Sequence, residues 1–299
     1  MKILLLGKGG QVGWELQRAL APVGEVVACD FDSPGDLRAD FTQPESLRPL
    51  LQRVRPDLIV NAAAHTAVDR AESEPDLARA INAAAPGVIA EQAAALGATL
   101  VHYSTDYVFD GSGSERRGED APTGPLSVYG RTKLEGEQLI RASGCRHLIL
   151  RTSWVYAARG GNFARTMLKL AAERDSLKVI SDQVGAPTGA ELLADVTAHA
   201  VRRVLAEPAL AGLYHCVAGG ETNWFEYARF VIEWARAHGQ PVRVAPDAIH
   251  SIPTSDYPTP AARPLNSRLA THRLQQAFGL TLPHWQVGVE RMLTEVLGR

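Results

Sequence analysis

Cysteine is nearly missing from this chain: three in 299 residues, Cys29, Cys145 and Cys216, with no CxxC pair among them. A disulfide-stapled secreted scaffold is thereby excluded. Isolated thiols suit buried small-hydrophobe positions in a reducing compartment, so a cytoplasmic protein is expected. The nine histidines show neither HxxxH nor HExxH spacing, and no zinc site is expected. No apolar run approaches the roughly 18 residues of a membrane span. The opening Met1-Lys-Ile-Leu-Leu-Leu-Gly7 is too short for a signal segment. An excess of one charge sign is lacking as well. The formal net charge of −2 gives no electrostatic case for nucleic acid or an anionic membrane as partner. Lysine is scarce, with only Lys2, Lys8, Lys133, Lys169 and Lys178.

What is present is the composition of a soluble globular protein, 45% hydrophobic and 21% charged. Residues 2–6 form an apolar run ending in glycine, as a strand buried on both faces of a parallel sheet does. Gly7-Lys-Gly-Gly10-Gln11-Val12-Gly13 then leads into the helically spaced Trp14-Glu-Leu-Gln-Arg-Ala-Leu20. The spacing is GxxGxxG, since Val12 excludes the tighter GxGxxG. Gly7 permits a sharp turn, Gly10 lets the amides around Gln11 and Val12 approach a pyrophosphate, and Gly13 lets helix and strand pack closely. Phosphates would sit at the helix N-terminus, where free N–H groups and the dipole favour anions. A glycine-rich turn without a ligand is the bland alternative.

Glu25–Cys29 reads as a second strand ending at Asp30. An acid there accepts from a ribose 2′-hydroxyl and favours NAD, whereas Arg38 and Lys8 suit a 2′-phosphate, so NADPH against NADH stays open. Asp40-Phe41 follows a short third strand and either borders an adenine or caps the helix after Pro44. A fourth strand, 55–61, runs into Ala62-Ala63-Ala64, where small side chains allow close approach by a flat cofactor or tight packing. An Ala-rich helix is expected over about 76–96, with Asn82 partly buried in it. A fifth strand ends in Ser104-Thr105-Asp106-Tyr107. Hydroxyls at the C-terminal end of a central strand face the crevice where open α/β sheets bind ligands; Thr105 either bonds a carbonyl there or caps the next turn.

Of the seven tyrosines only Tyr129 has a lysine four residues on, Lys133. That spacing places both on one helix face, about 5–6 Å apart at Cβ. A free phenol, with a pKa of about 10, is a poor proton shuttle at neutral pH; a nearby ammonium lowers it towards the working range. A solvated helix face is the plain alternative. After a sixth strand at 146–150, the alternation of strands and helices predicts an α/β fold with a doubly wound parallel sheet of Rossmann type. The second half, with its Gly-rich connection, short strands and Pro-rich stretch 252–264, reads as a smaller α+β lid. The expected division is 1–151 for the dinucleotide, with a segment near 176–200 returning to it, and 152–175 plus 201–299 for substrate.

Together GxxGxxG, Thr105 and Tyr129-x-x-x-Lys133 resemble the extended short-chain dehydrogenase/reductase family. Asn61-Ala-Ala-Ala-His-Thr-Ala-Val-Asp, His102-Tyr-Ser-Thr-Asp-Tyr-Val-Phe, Arg151-Thr-Ser-Trp-Val-Tyr, Asp182-Gln-Val-Gly-Ala-Pro-Thr-Gly and Arg263-Pro-Leu-Asn-Ser extend the likeness over nearly the whole chain. The resemblance implies reduction of the nucleotide sugar dTDP-4-dehydro-β-L-rhamnose with NADPH or NADH. Tyr129 would be the proton donor, Lys133 the group that tunes it and holds the nicotinamide ribose, and Thr105 the partner of the C4 oxygen. It also implies that Asp106, Tyr107 and Trp154 lie against the sugar and that Asn162, Gln183 and Arg263 meet the diphosphate. Some relatives use Mg²⁺ at a homodimer contact, for which Glu15, Glu191 and Glu290 are the matching residues. A 4,6-dehydratase of the same family would carry a glutamate after Thr105-Asp106, where this chain has Tyr107. A 4-epimerase would retain its nicotinamide, and a non-catalytic NADP-binding regulatory subunit would not need the Thr105, Tyr129 and Lys133 set.

Overall fold

The structure, a computed structural model, describes residues 1–298. Strands β1 (Lys2–Leu6), β2 (Glu25–Cys29), β3 (Leu58–Asn61), β4 (Thr99–Thr105), β5 (Arg146–Thr152) and β6 (Gly212–His215) form one sheet in the order β6-β5-β4-β3-β1-β2. Every neighbouring pair is parallel. The apolar runs of the sequence are the reason. Alternate residues leave opposite faces of a strand, and both faces are covered. Ile3, Leu5, Leu58, Val60 and Val101 point into one core with Leu16 and Leu20 of helix α1 (Gln11–Leu20). Leu4, Leu6, Ile59 and Leu100 point into the other, against Leu50 and Leu51 of α2 (Leu47–Val54).

Two local expectations change. No strand forms before Asp40: residues 35–46 hold two 3₁₀ turns, Gly35–Leu37 and Pro44–Ser46. The flanking Pro34 and Pro44 remove ladder donors, and no β-branched run compensates. The sixth strand of the sheet comes instead from the second half, as β6. The long Ala-rich helix is also interrupted. After α3 (Val68–Ser73) come α4 (Pro75–Arg79), a π-helical turn at Ala80–Ala84 and α5 (Ala85–Leu96). Pro86 lacks an N–H and would clash with the carbonyl four residues back, that of Asn82, so the helix widens there.

Helix α6 (Val128–Ala142) carries the tyrosine–lysine pair and starts on Ser127, whose Oγ accepts from the Gly130 N–H at 3.2 Å. A separate apolar cluster joins α7 (Phe163–Glu173), α9 (Trp224–Ala237) and α10 (Trp285–Leu297). Beside it Leu177–Ile180 pairs in parallel with Ile249–Ile252. Between these segments α8 (Ala190–Ala206) packs through Leu193, Ala194 and Val201 into the core under α1. The three cysteines are free and buried. No helix among the described residues is long and apolar enough to cross a membrane.

Candidate active site

The glycine turn is built by close contact. Gly7 has φ +87°, and a Cβ there would stand 2.7 Å from Ala63 N and 2.9 Å from the Ala62 carbonyl carbon. The turn and the Ala62-Ala63-Ala64 end of β3 are thus in backbone contact, for which small residues are required. A Cβ on Gly13 would lie 1.9 Å from the Gly7 carbonyl oxygen, so only glycine lets α1 seat this tightly on β1. Gly10 is different: its backbone is extended, and a Cβ would have nothing nearer than the Gly7 oxygen at 3.5 Å. It stands at the α1 N-terminus without a side-chain cap, and Gln11 nearby has a buried Oε1 with no partner. An open, amide-lined helix start fits a dinucleotide pyrophosphate, while the Gln11 oxygen, an acceptor, suits a hydroxyl and not the phosphates.

The Asp30 carboxylate accepts from the Gly9 and Phe31 N–H groups at 3.0 and 2.9 Å. Lys8 donates to Ser33 on the same loop at 3.1 Å. An acceptor for a 2′-hydroxyl and a cation for a 2′-phosphate therefore stand side by side. Arg38 pairs with Asp40 at 3.2 Å, and Asp40 also accepts from the Thr42 N–H and hydroxyl. Phe41 turns its side chain away from solvent. Its ring is buried in the core over α2, where a large apolar side chain gains most.

Thr105 ends β4 and is buried; its hydroxyl donates to Asp106 Oδ1 at 3.0 Å. The Tyr129 ring retains partial exposure and meets Tyr107 edge-on at 5.5 Å. Its hydroxyl end lies deep: burial pushes the phenol up to about 12, Thr105 pulling the other way and the Asp106 charge adding to the rise. Burial also pushes Asp106 up to about 6, offset in part by Ser267 and Thr105. Lys133 differs from expectation. It shares the helix face with Tyr129 but is only 2% exposed, and its Nζ turns into the sheet, donating to the Tyr103 carbonyl at 2.6 Å and facing His102 Nε2 at 3.2 Å. The phenol is thus raised, not lowered. A fully buried amine must find acceptors, and the strand carbonyl supplies one.

Several residues implied for substrate are already engaged. Asn162 caps α7: its Oδ1 accepts from Arg165 N–H at 3.1 Å and its Nδ2 donates to the Ala157 carbonyl at 2.6 Å. Gln183 is buried, donating to Thr254 Oγ1 and accepting from Trp224 Nε1 at 3.1 and 3.0 Å. Arg263 forms a two-pronged pair with Asp69 at 3.1 and 2.8 Å. Each of the three satisfies a neighbouring donor or charge, and Arg263 keeps further N–H donors beyond its three bonds to Asp69 and the Ala261 carbonyl. Trp154 stacks on Trp224 at 3.7 Å and holds φ +49°, a conformation uncommon for a non-glycine residue. The glutamates do not assemble a cation site within the chain. Glu15 pairs with Arg18 at 3.5 Å and Glu191 with Arg291 at 3.3 Å. Among the described residues no group of three or more His, Cys, Asp or Glu side chains is placed to hold a metal.

Three polar residues gain weight that sequence reasoning had not given them. Asn82, on the π turn, accepts from the His65 N–H at 2.8 Å and donates to the His65 carbonyl and Thr132, which ties the loop after β3 to α6. Asn61 and His102 lie buried beneath Lys133. For Asn61 and His102 the only sequence signal was a polar residue in an otherwise apolar strand, and for Asn82 its place in an Ala-rich helix.

A family profile described as the RmlD substrate binding domain matches residues 1–297. The chain belongs to this family. Within the RmlD family it is 57% identical to the dTDP-4-dehydrorhamnose reductase of Escherichia coli K12, over 99% of this chain and 98% of that one. The crystal structure of a dTDP-4-dehydrorhamnose reductase from Clostridium acetobutylicum superposes with a TM-score of 0.89 at 36% identity, covering all of both chains. That of Bacillus anthracis, in complex with NADP, gives 0.87 at 32% identity over 98% and 99% of the two. The Rossmann-type fold and the family resemblance read from the motifs are both borne out.

Proposed function

We propose that this RmlD-family chain reduces dTDP-4-dehydro-β-L-rhamnose to dTDP-β-L-rhamnose with NADPH or NADH, the last step in making that activated sugar. One observation carries the reading. Thr105 and Tyr129 stand together beyond the C-terminal end of the central strand, with Lys133 on the same helix and the open glycine turn at the neighbouring strands. When bound, the nicotinamide supplies a hydride to the sugar C4. Tyr129 gives its hydroxyl proton to the C4 oxygen, so the new C–H and O–H bonds form without a free alkoxide. Thr105 orients that oxygen. Burial disfavours a charged phenolate, which keeps Tyr129 protonated and ready to donate at neutral pH. Lys133 would hold the ribose and, when charged, stabilise the tyrosinate left behind. Trp154 and Tyr107 offer apolar surface to the deoxysugar. Arg263, held by Asp69, would offer its remaining N–H groups to the diphosphate.

The reading includes a cytoplasmic homodimer, checked by sedimentation with and without EDTA. Catalysis is tested by loss of NAD(P)H absorbance with dTDP-4-dehydrorhamnose. Net consumption of reduced cofactor supports the proposal. A protein that arrives with tightly held cofactor and shows no net consumption is an epimerase-type enzyme, and one that binds NADP without turning over any keto-sugar is a regulatory subunit; either overturns it.

A further inference from the structure

Trp154 carries a conformational cost that proton and hydride transfer leave unexplained. Its φ of +49° is left-handed, and a bulky residue stays there only where its surroundings over-determine it. The backbone does part of this. The Trp154 carbonyl accepts from the Thr188 N–H at 3.2 Å, and the next residues, Val155–Tyr156, pair with Thr188–Gly189. Thr152 ends β5 opposite Thr105 of β4, so the indole two residues on stands at the crevice end of the sheet. A Cβ on Gly185 would lie 3.0 Å from Trp154 Cε2 and 3.1 Å from Ser267 Cβ. Ser267 in turn neighbours Asp106. The ring is seated against backbone on the Thr105–Asp106 side of the crevice.

The other support is aromatic. The Trp224 ring lies on Trp154 with centroids 3.7 Å apart and planes 19° from parallel. Trp224 is itself fixed. It opens α9 after Asn223, whose Oδ1 caps the helix by accepting from the Glu226 N–H at 2.8 Å. Phe163 tilts against it at 4.6 Å. Its Nε1–H donates to Gln183 Oε1 at 3.0 Å, and Gln183 Nε2 donates to Thr254 Oγ1 at 3.1 Å. Thr254 gives its own hydroxyl proton to Asp182 Oδ1 at 2.6 Å. Each link has one possible sense, because indole and amide nitrogens only donate and an ionised carboxylate only accepts. Gln183, 4% exposed, therefore has no second orientation of its amide. Both indoles keep part of their surface exposed.

We propose that Trp224, held by Gln183, is a positioning residue that fixes the Trp154 indole as the wall on which the deoxysugar ring is seated. A sugar ring presents C–H groups on one face, and an apolar ring held in one orientation selects how that face lies. Reduction at C4 needs that orientation, since a reacting carbon displaced by about 1 Å loses about 10²-fold in rate. The strained Trp154 and the ring behind it form one surface, set before the sugar arrives. Gln183 serves the sugar from behind, through Trp224, and not the diphosphate. The inference deepens the proposed reading and rests on it for the identity of the sugar.

Binding without turnover tests it. The full chain, saturated with NADPH, is titrated calorimetrically with dTDP-β-L-rhamnose and with dTDP; reduced cofactor and reduced sugar cannot react. Trp224→Leu should weaken dTDP-β-L-rhamnose by about tenfold and leave dTDP within about twofold. Gln183→Met should move the two constants in the same way. Trp154→Ala combined with Trp224→Leu should lose no more than Trp154→Ala alone. The stacked indoles should also give the parent a far-UV circular-dichroism couplet that Trp224→Leu and Trp154→Ala each abolish. A merely structural Trp224 would weaken both ligands together or add to the loss in Trp154→Ala; either result overturns the proposal, as does a parent without the couplet. Lost dTDP affinity in Gln183→Met puts that residue on the diphosphate and overturns it too. Should Trp224→Leu not fold, Gln183→Met carries the same comparison. The reductase reading fails separately: a parent with this binding pattern that consumes no NADPH with the keto-sugar keeps the wall and loses the reaction.

Discussion

Alanine at Gly10 and at Gly13 should separate phosphate binding from folding. At Gly13 the new methyl would start 1.9 Å from the Gly7 oxygen and 2.7 Å from its carbon. Both are backbone atoms, so α1 must retreat by about 1.5 Å to regain ordinary contact. Overpacking of this kind costs about 1–3 kcal/mol, against about 1 kcal/mol gained in helix propensity. The net loss is up to about 2 kcal/mol, a fall of at most a few degrees in Tm. At Gly10 the nearest atom is 3.5 Å away and the backbone is already extended. The lost glycine cap and the stiffer unfolded chain nearly cancel, each at about 0.5–1 kcal/mol. On folding stability alone Gly10→Ala is therefore neutral. A bound pyrophosphate would meet that methyl. Displacing it from two amides removes about 3 kcal/mol of charge-assisted hydrogen bonding, on the order of 10²-fold in Kd. Calorimetric unfolding and NADPH fluorescence titration of the two variants read these quantities separately. A Gly10→Ala protein with parental Tm and parental NADPH affinity would refute the placement of the phosphates.

Three further outcomes are expected. Tyr129→Phe should lower turnover by about 10²–10⁴ while NADPH binding stays near parental, read by single-turnover absorbance and fluorescence titration. Glu137→Ala leaves the Arg151 guanidinium, 4% exposed at its side chain and set over the Phe109 ring at 5.1 Å, without its partner. It should cost about 3–5 kcal/mol in urea unfolding, with most of that recovered when Arg151→Met and Glu137→Leu are combined; equal losses in the single and double variants would contradict it. Asp106 has its folded pKa raised to about 6. Its native form therefore holds a proton that the unfolded chain releases near 4, and stability should fall as pH rises from about 4 to 6, by up to about 2–3 kcal/mol. Asp106→Asn should abolish that slope in urea unfolding measured across the interval.

Much of the fold was legible because its causes are local. Apolar runs that end in glycine, the GxxGxxG spacing and the strand–helix alternation dictate a parallel sheet buried on both faces. The third strand and the unbroken helix over 76–96 failed for reasons equally local but easy to miss, the prolines at 34, 44 and 86. Site residues on strand ends and on one helix face were readable, since a period of two or 3.6 fixes where they point.

The sequence by itself determined the sheet, the glycine cradle and which side chains share the face of α6, because backbone sterics and side-chain periodicity act within a few residues. Only the tertiary structure decided where the buried groups spend their hydrogen bonds. Lys133 turned from Tyr129 to the Tyr103 carbonyl and His102, Arg263 closed on Asp69, and Gln183 locked Trp224. Each choice depends on which donors and acceptors distant segments bring within about 3 Å once water is gone.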